Sequence, residues 1–362
     1  MPLIWCSISS HGFGHAAQVA PVLNELSRLV PGLKALVRTT VPPQFFAGRL
    51  DVEWEASNVP QDIGCVQRGP LTIDVEATWA EHIRFHADWE KRVREEARAI
   101  RSRRPTLLLS DISHLAVAAG SRAGIPTIGL CNLSWDLVLE PYHDPTNHKQ
   151  AEALRLIQQA YGKAELMLRP TPGLPMTSFR KTVEIGPIAY PLKAERPRLS
   201  EIVGATPGER LVLVGFGGIV LESLPFDHME QLAGYRFIVS GPVPDYCNRA
   251  HSISAIPLPF GSLLAAADIL VTKPGYNMIV EAVAQKKPVV YVRRHNFADE
   301  ESLIQYLHRY GRGIELSAED FASGHWLDAL ESTQSLPQPA EAAPLPTGAA
   351  EAAQILAGYL TR

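Results

Sequence analysis

Short unbroken apolar runs alternate along this chain with longer segments whose apolar residues recur at helical spacing, the mark of parallel α/β architecture. Residues 3–9 read as a first strand, 16–30 as the helix after it, and 33–39 as a second strand. The charged stretch 78–103 reads as one long helix with apolar positions Trp79, Ile83, Val93, Ala97 and Ile100. Its many Arg and Glu residues predict a solvated face with local ion pairs. Strands at 106–110 and 127–131 flank a helix at 114–123, and 151–163 is helical again.

Pro170, Pro172, Pro175, Pro187, Pro191 and Pro197 then punctuate a stretch with few helical signals, as a domain connection does. Beyond it the alternation restarts, with strands at 210–215, 237–240, 269–272 and 289–292 and helices at 262–267, 277–285 and 300–309. Pro337, Pro339, Pro344 and Pro346 end the regular structure. An amphipathic helix at 349–360 has no strand after it, so it must dock on something already built. The pattern predicts two doubly wound lobes, residues 1–185 and 186–346, with the helix of 347–362 packing back on the first. No short repeat of solenoid type occurs.

Composition narrows the class. At 362 residues, 46% hydrophobic and 20% charged, the chain resembles an ordinary globular protein and is too long for one core. Its 34 Lys+Arg against 38 Asp+Glu give a net charge of -4, with no bulk basic field for nucleic acid or an anionic membrane. Cys6, Cys65, Cys131 and Cys247 form no CxxC pair and no zinc spacing, and read as reduced, buried side chains. The start lacks the charged and apolar regions of a signal peptide, and no run of about 18 apolar residues occurs. A cytoplasmic protein without a transmembrane segment is expected, peripheral membrane contact being left open.

Doubly wound sheets bind ligands at the carboxyl ends of their strands, so the loops leaving those ends matter most. The first runs Ser9-Ser10-His11-Gly12-Phe13-Gly14-His15-Ala16-Ala17. Its glycines allow a tight turn into a helix whose free N–H groups favour an anion. It matches a relaxed dinucleotide fingerprint, GxGxxA, but the second strand ends in Arg38 rather than an acidic ribose ligand. Arg38 would tolerate an NADP phosphate, so the dinucleotide reading is disfavoured rather than excluded. Two histidines in one such loop point instead to general-base chemistry by His11 or His15. Asp111, after the third apolar strand, is placed to orient a catalytic histidine or to cap a helix. Asn132, Ser134, Trp135 and Asp136 follow the next strand, with Asp136 open to the same capping role.

In the second lobe, Gly215-Phe216-Gly217-Gly218 lets backbone N–H groups approach a phosphate. Lys273-Pro274-Gly275-Tyr276-Asn277 opens a helix that carries Glu281. The helix start suits a diphosphate, and the Glu281 carboxylate suits two ribose hydroxyls. Arg294, His295, Phe297, Asp299, Glu300 and Glu301 form a polar cluster after the next strand, fit to bind sugar hydroxyls, with Asn296 or Asp299 as helix caps. Trp79, Phe85, Trp89 and Trp135 read mainly as core aromatics. His82 and His86 share a helix face at metal-ligand spacing without a third ligand nearby in sequence, and read as surface residues.

Together these residues resemble the GT-B nucleotide-sugar glycosyltransferases. More closely, the chain resembles the glycosyltransferase-like amino-terminal region of plant L-arabinokinases and its stand-alone bacterial relatives. The likeness runs over about residues 3–330. It rests on Ser10 to His15, Gly64-Cys65-Val66-Gln67, Ser110-Asp111, Asn132 to Asp136, Phe216-Gly217-Gly218, Lys273 to Tyr276 and Glu281. Val292-Arg293-Arg294, Phe297, Glu300-Glu301 and Gly324-His325-Trp326 complete it.

The resemblance implies a GT-B fold, two Rossmann-like domains facing across a cleft, with the donor held mainly by the second. It implies His15 as the base that deprotonates the acceptor, with His11 and Asp111 beside it, and Glu281 as the ribose ligand. Gly14, Gly217, Gly218, Lys273, Gly275, Tyr276 and Asn277 would hold the donor nucleotide and its diphosphate. Arg294, Phe297, Glu300 and Glu301 would hold the donor sugar, and Asn132, Ser134, Trp135 and Asp136 the acceptor side. It implies a hexosyl- or pentosyltransferase with UDP-sugar as default donor, no cofactor and no metal. The sugar-kinase activity of the plant proteins is not carried over. Two other classes stay in view: an epimerase or hydrolase of nucleotide sugars, and a non-catalytic sugar-nucleotide-binding module.

Overall fold

The computed structural model describes residues 1–190, 193–218, 224–294, 297–339 and 341–361. The chain divides into two compact units. The first comprises Met1–Val66, Ile73–Ile188 and Pro346–Arg362; the second comprises Gln67–Thr72 and Ala189–Leu345. The boundary thus falls after Ile188 rather than 185, and a short upstream segment belongs to the second unit.

The first unit holds seven strands: β1 (Leu3–Ile8), β2 (Lys34–Arg38), β3 (Glu53–Ser57), β4 (Leu107–Asp111), β5 (Thr127–Leu130), β6 (Leu166–Pro170) and β7 (Thr182–Ile185). They form one sheet in the order β3-β2-β1-β4-β5-β6-β7, all neighbours parallel. The second unit holds β8 (Arg210–Val214), β9 (Tyr235–Val239), β10 (Ala250–Ser252), β11 (Ile269–Thr272), β12 (Pro288–Tyr291) and β13 (Arg312–Glu315). Their order is β10-β9-β8-β11-β12-β13, again parallel. Central strands such as β4 and β11 are buried along their whole length, which explains their unbroken apolar runs. The edge strand β3, by contrast, reads Glu-Trp-Glu-Ala-Ser and is largely exposed.

Two expectations are corrected. The charged stretch is two helices, Val75–Ala87 and Trp89–Arg103, separated at Asp88. The break lets Phe85 and Trp89 share a core cluster with Val93, Leu115 and Ala118. The proline-rich stretch is no bare connection either, since β6 ends on its first residue, Pro170, and β7 lies within it. Strand β7 is a mostly exposed edge with no apolar run to betray it.

The helix that follows β1 is α1 (Gly14–Leu29). The carboxy-terminal helix α2 (Gly348–Leu360) packs against α1 within the first unit. The start of α2 also meets the segment after β7: a Cβ on Gly348 would sit 2.0 Å from the Gly186 carbonyl oxygen, and the Gly186 N–H donates to Glu351 Oε2. No helix among the described residues is long and apolar enough to cross a membrane.

Candidate active site

The centre of the first unit is built by two strand ends. β1 and β4 pair with Ile8 opposite Asp111, so the loop after β1 and the last residue of β4 emerge side by side. The Ser9 N–H donates to the Asp111 carbonyl over 2.7 Å. The loop turns through Gly12, and His15 becomes the second residue of α1. From there His15 Nδ1 lies 2.7 Å from Asp111 Oδ1, in a pair that is 8% and 0% exposed. Burial pushes the Asp111 carboxyl upward, and the neighbouring imidazole opposes that push. With the proton on Nδ1 donated to the carboxylate, Nε2 carries the basic lone pair.

Two residues that the sequence did not single out complete this centre. Cys131 follows β5, the strand beside β4, and its Sγ lies 3.8 Å from His15 Nδ1. Burial, aided by Asp111, pushes the thiol well above its ordinary range and keeps it protonated at neutral pH. Ligand atoms of His15, Asp111 and Cys131 gather within 4.8 Å of one another. Among the described residues this is the one set placed to hold a metal ion, and its N, O and S donors suit a soft divalent cation. Asp62 accepts hydrogen bonds from Ser9 Oγ at 3.0 Å and from the Trp135 indole N–H at 2.9 Å. Its carboxyl is pushed up to about 6, chiefly by burial, against the pull of Trp135, His15 and Ser9.

Trp135 packs its ring against both loop histidines, 5.3 Å from His11 and 5.9 Å from His15. His11 in turn rests on Gly64: a Cβ there would lie 2.8 Å from its Nδ1, and Gly64 has φ +65°. The Cys65 N–H reaches His11 Nδ1 at 3.4 Å. One turn beyond His15, Gln18 donates to Asn132 Oδ1 at 2.9 Å. Asn132 and Trp135 therefore join the His15 neighbourhood. Asp136 bonds Ser178 at 2.5 Å instead, and Ser134 Oγ is buried with no hydrogen-bond partner among the described residues. Neither aspartate caps a helix through its side chain; Ser113 does so for His114–Ala123. Trp79, Phe85, Trp89 and Trp135 are all buried core.

Arg38 is no phosphate ligand in waiting. Its guanidinium makes a bidentate bond to Glu96 at 2.6 Å per arm, which removes the support for NADP. His82 and His86 are not surface residues either. They are buried, and the third histidine is His114, which stacks on His86 at 5.1 Å and on Trp89 at 5.3 Å. His82 donates to the Gly64 carbonyl, His86 to the His82 carbonyl, and His86 Nε2 meets His114 Nε2 at 3.1 Å. Burial lowers all three, His82 to about 4.

In the second unit, three neighbouring strand ends present the predicted donor residues. Gly217 and Gly218, after β8, both lie at positive φ, and a Cβ on Gly217 would meet nothing within 4 Å. Thr272 Oγ1, at the end of β11, donates to the Gly215 carbonyl and ties the two loops. Lys273 follows, buried, then Gly275 as the N-terminal cap of Tyr276–Ala284, which carries a half-buried Glu281. After β12, Arg294 Nη2 donates to the Pro274 carbonyl and the guanidinium stacks on Phe297 at 4.0 Å. Glu300 is enclosed by arginines, 3.2 Å from Arg293 and 3.3 Å from Arg294, while exposed Glu301 pairs with Arg293. Arg294, Phe297 and Glu300 thus form one braced cluster. Asp299 sits at the start of the next helix without a side-chain cap, and His295 and Asn296 lie outside the described residues. Trp326, another residue of the family likeness, belongs to the core, stacked on Phe321.

No family model matches the chain. L-arabinokinase of Arabidopsis thaliana is 26% identical over 337 residues. That match takes in 91% of this chain and 32% of the relative, so the chain spans about a third of that protein. The calicheamicin glycosyltransferase superposes with a TM-score of 0.61 at 18% identity, covering 100% of this chain and 99% of that one. A spinosyn rhamnosyltransferase solved with thymidine diphosphate gives 0.58 at 15% identity, covering 100% and 96%. The fold is the GT-B fold of these transferases.

Proposed function

We propose that the chain is a glycosyltransferase that moves a sugar from a nucleoside-diphosphate sugar, by default a UDP-sugar, to an acceptor hydroxyl. The observation that carries this is the buried His15–Asp111 pair at the carboxyl edge of a GT-B sheet. A base aligned by a carboxylate is what removal of a hydroxyl proton needs near neutral pH. His15 Nε2 takes the acceptor proton as the oxygen attacks the anomeric carbon, and the nucleoside diphosphate leaves. His11 and Trp135 wall the same loop, and Asp62 adds a second carboxylate beside it.

The second unit takes the donor. Gly217 and Gly218, the start of the Tyr276–Ala284 helix and Lys273 meet the diphosphate, so its departure is eased by fixed dipoles and a cation rather than a metal. Glu281 holds the ribose. The enclosed Glu300 braces Arg293 and Arg294 as the frame of the sugar pocket.

The test is release of nucleoside diphosphate and transfer of sugar by wild type and His15→Ala. The expected result is a kcat lower by about 10²–10⁴ with nucleotide affinity unchanged. Equal turnover in the two proteins would remove His15 from the chemistry.

A further inference from the structure

Lys273 is a buried cation with no bonded counterpart among the described residues. It is 8% exposed, between β11 and the Tyr276–Ala284 helix, and its ammonium makes no hydrogen bond or ion pair with any described residue. The charged groups that act on it are Arg294, Asp299 and Glu300. Both carboxylates already serve an arginine: Glu300 bonds Arg293 and Arg294, and Asp299 Oδ1 lies 3.5 Å from Arg294 Nη2. Burial first, and repulsion by Arg294 second, bring the Lys273 ammonium down to about 7. An ordinary surface lysine would keep its charge over the whole neutral range.

We propose that Lys273 is a proton-coupled anchor, taking a proton from solvent as a nucleoside diphosphate binds, so that the ion pair exists only in the complex. The inference rests on the donor reading above. An arriving diphosphate supplies the negative charge that Arg294 withholds from Lys273 by occupying its carboxylates, and so favours the ammonium form. The proton passes from buffer to Nζ, and no covalent bond between heavy atoms changes. By linkage, the Lys273 contribution to affinity is level below about pH 7 and falls by up to about tenfold per pH unit above it. A terminal phosphate has a second pKa of about 6, so above pH 7 the slope belongs to the protein.

The experiment is isothermal titration of the full chain with UDP and with dTDP at pH 8, in buffers of different ionisation enthalpy. Wild type is expected to take up close to one proton per nucleotide. Lys273→Arg keeps binding and takes up none, because a guanidinium is charged throughout. Lys273→Met also takes up none and binds about 10–100-fold more weakly. Wild-type binding without proton uptake, or uptake that persists in Lys273→Arg, would overturn the inference and leave the donor reading standing. Failure of wild type to bind either nucleotide would overturn the donor reading and this inference with it. The wild-type buffer series decides the matter even where a variant does not fold.

Discussion

His15 and Asp111 lie 2.7 Å apart because two neighbouring parallel strands, β1 and β4, end at the same level and one of them leads through a short glycine loop into a helix. The carboxylate fixes which imidazole nitrogen carries the proton. Asp111→Asn keeps the shape of the pair but offers an amide where a carboxylate accepted. The expected outcome is a kcat reduced by about 10²–10⁴ with nucleotide affinity unaltered, checked by steady-state kinetics beside a nucleotide titration.

Gly64 supports the same loop from below. It occupies the left-handed region, and a Cβ there would press on the His11 ring. Gly64→Ala is therefore expected to destabilise the protein by about 1–3 kcal/mol, through strain and the shift of His11. Denaturant unfolding measures it; an unchanged midpoint would show that the close approach is dispensable.

The buried histidines make stability depend on pH. Their folded pKa values are depressed, His82 to about 4, so between there and 6.5 the unfolded chain binds more protons. Their contribution is fully present above 6.5 and is lost as pH falls, by up to about 1.4 kcal/mol per pH unit for each histidine. Asp62, raised to about 6, works in the opposite sense, so the informative quantity is a difference. His114→Phe keeps an aromatic ring against Trp89 and removes one of the titrating groups. Its unfolding free energy should fall less than that of wild type between pH 7 and pH 5; parallel losses would show that His114 does not report on acid.

Glu281→Ala tests the donor half. A carboxylate holding two ribose hydroxyls contributes about 1.5–3 kcal/mol, so nucleoside diphosphate binding should weaken about 10–100-fold. Titration with UDP, GDP and dTDP measures this, and binding indifferent to the substitution would move the ribose elsewhere.

The sequence made legible whatever depends on burial from both sides. β1, β4, β8 and β11 announce themselves as unbroken apolar runs, and the loops after them carry His15, Asp111, Gly217 and Lys273. Edge strands β3 and β7 lack that signal because water covers much of them. Asp62 sits in a stretch without periodicity, and only tertiary contact with Ser9 and Trp135 brings it to the centre. Cys131 is a strand-end residue like Asp111, and that position was the available clue. The third histidine of the buried stack, His114, comes from a different helix, so spacing along one helix face could not supply it.

Mass-spectrometric product analysis with nucleotide sugars, in the presence and absence of acceptors, tests the central claim most directly. The predicted result is an acceptor heavier by one sugar residue, with the nucleoside diphosphate released in step and the product nearly absent in His15→Ala. Conversion of the donor with no acceptor present would contradict it and favour an epimerase or hydrolase. Nucleotide binding without any product, insensitive to His15→Ala, would contradict it in favour of a binding module.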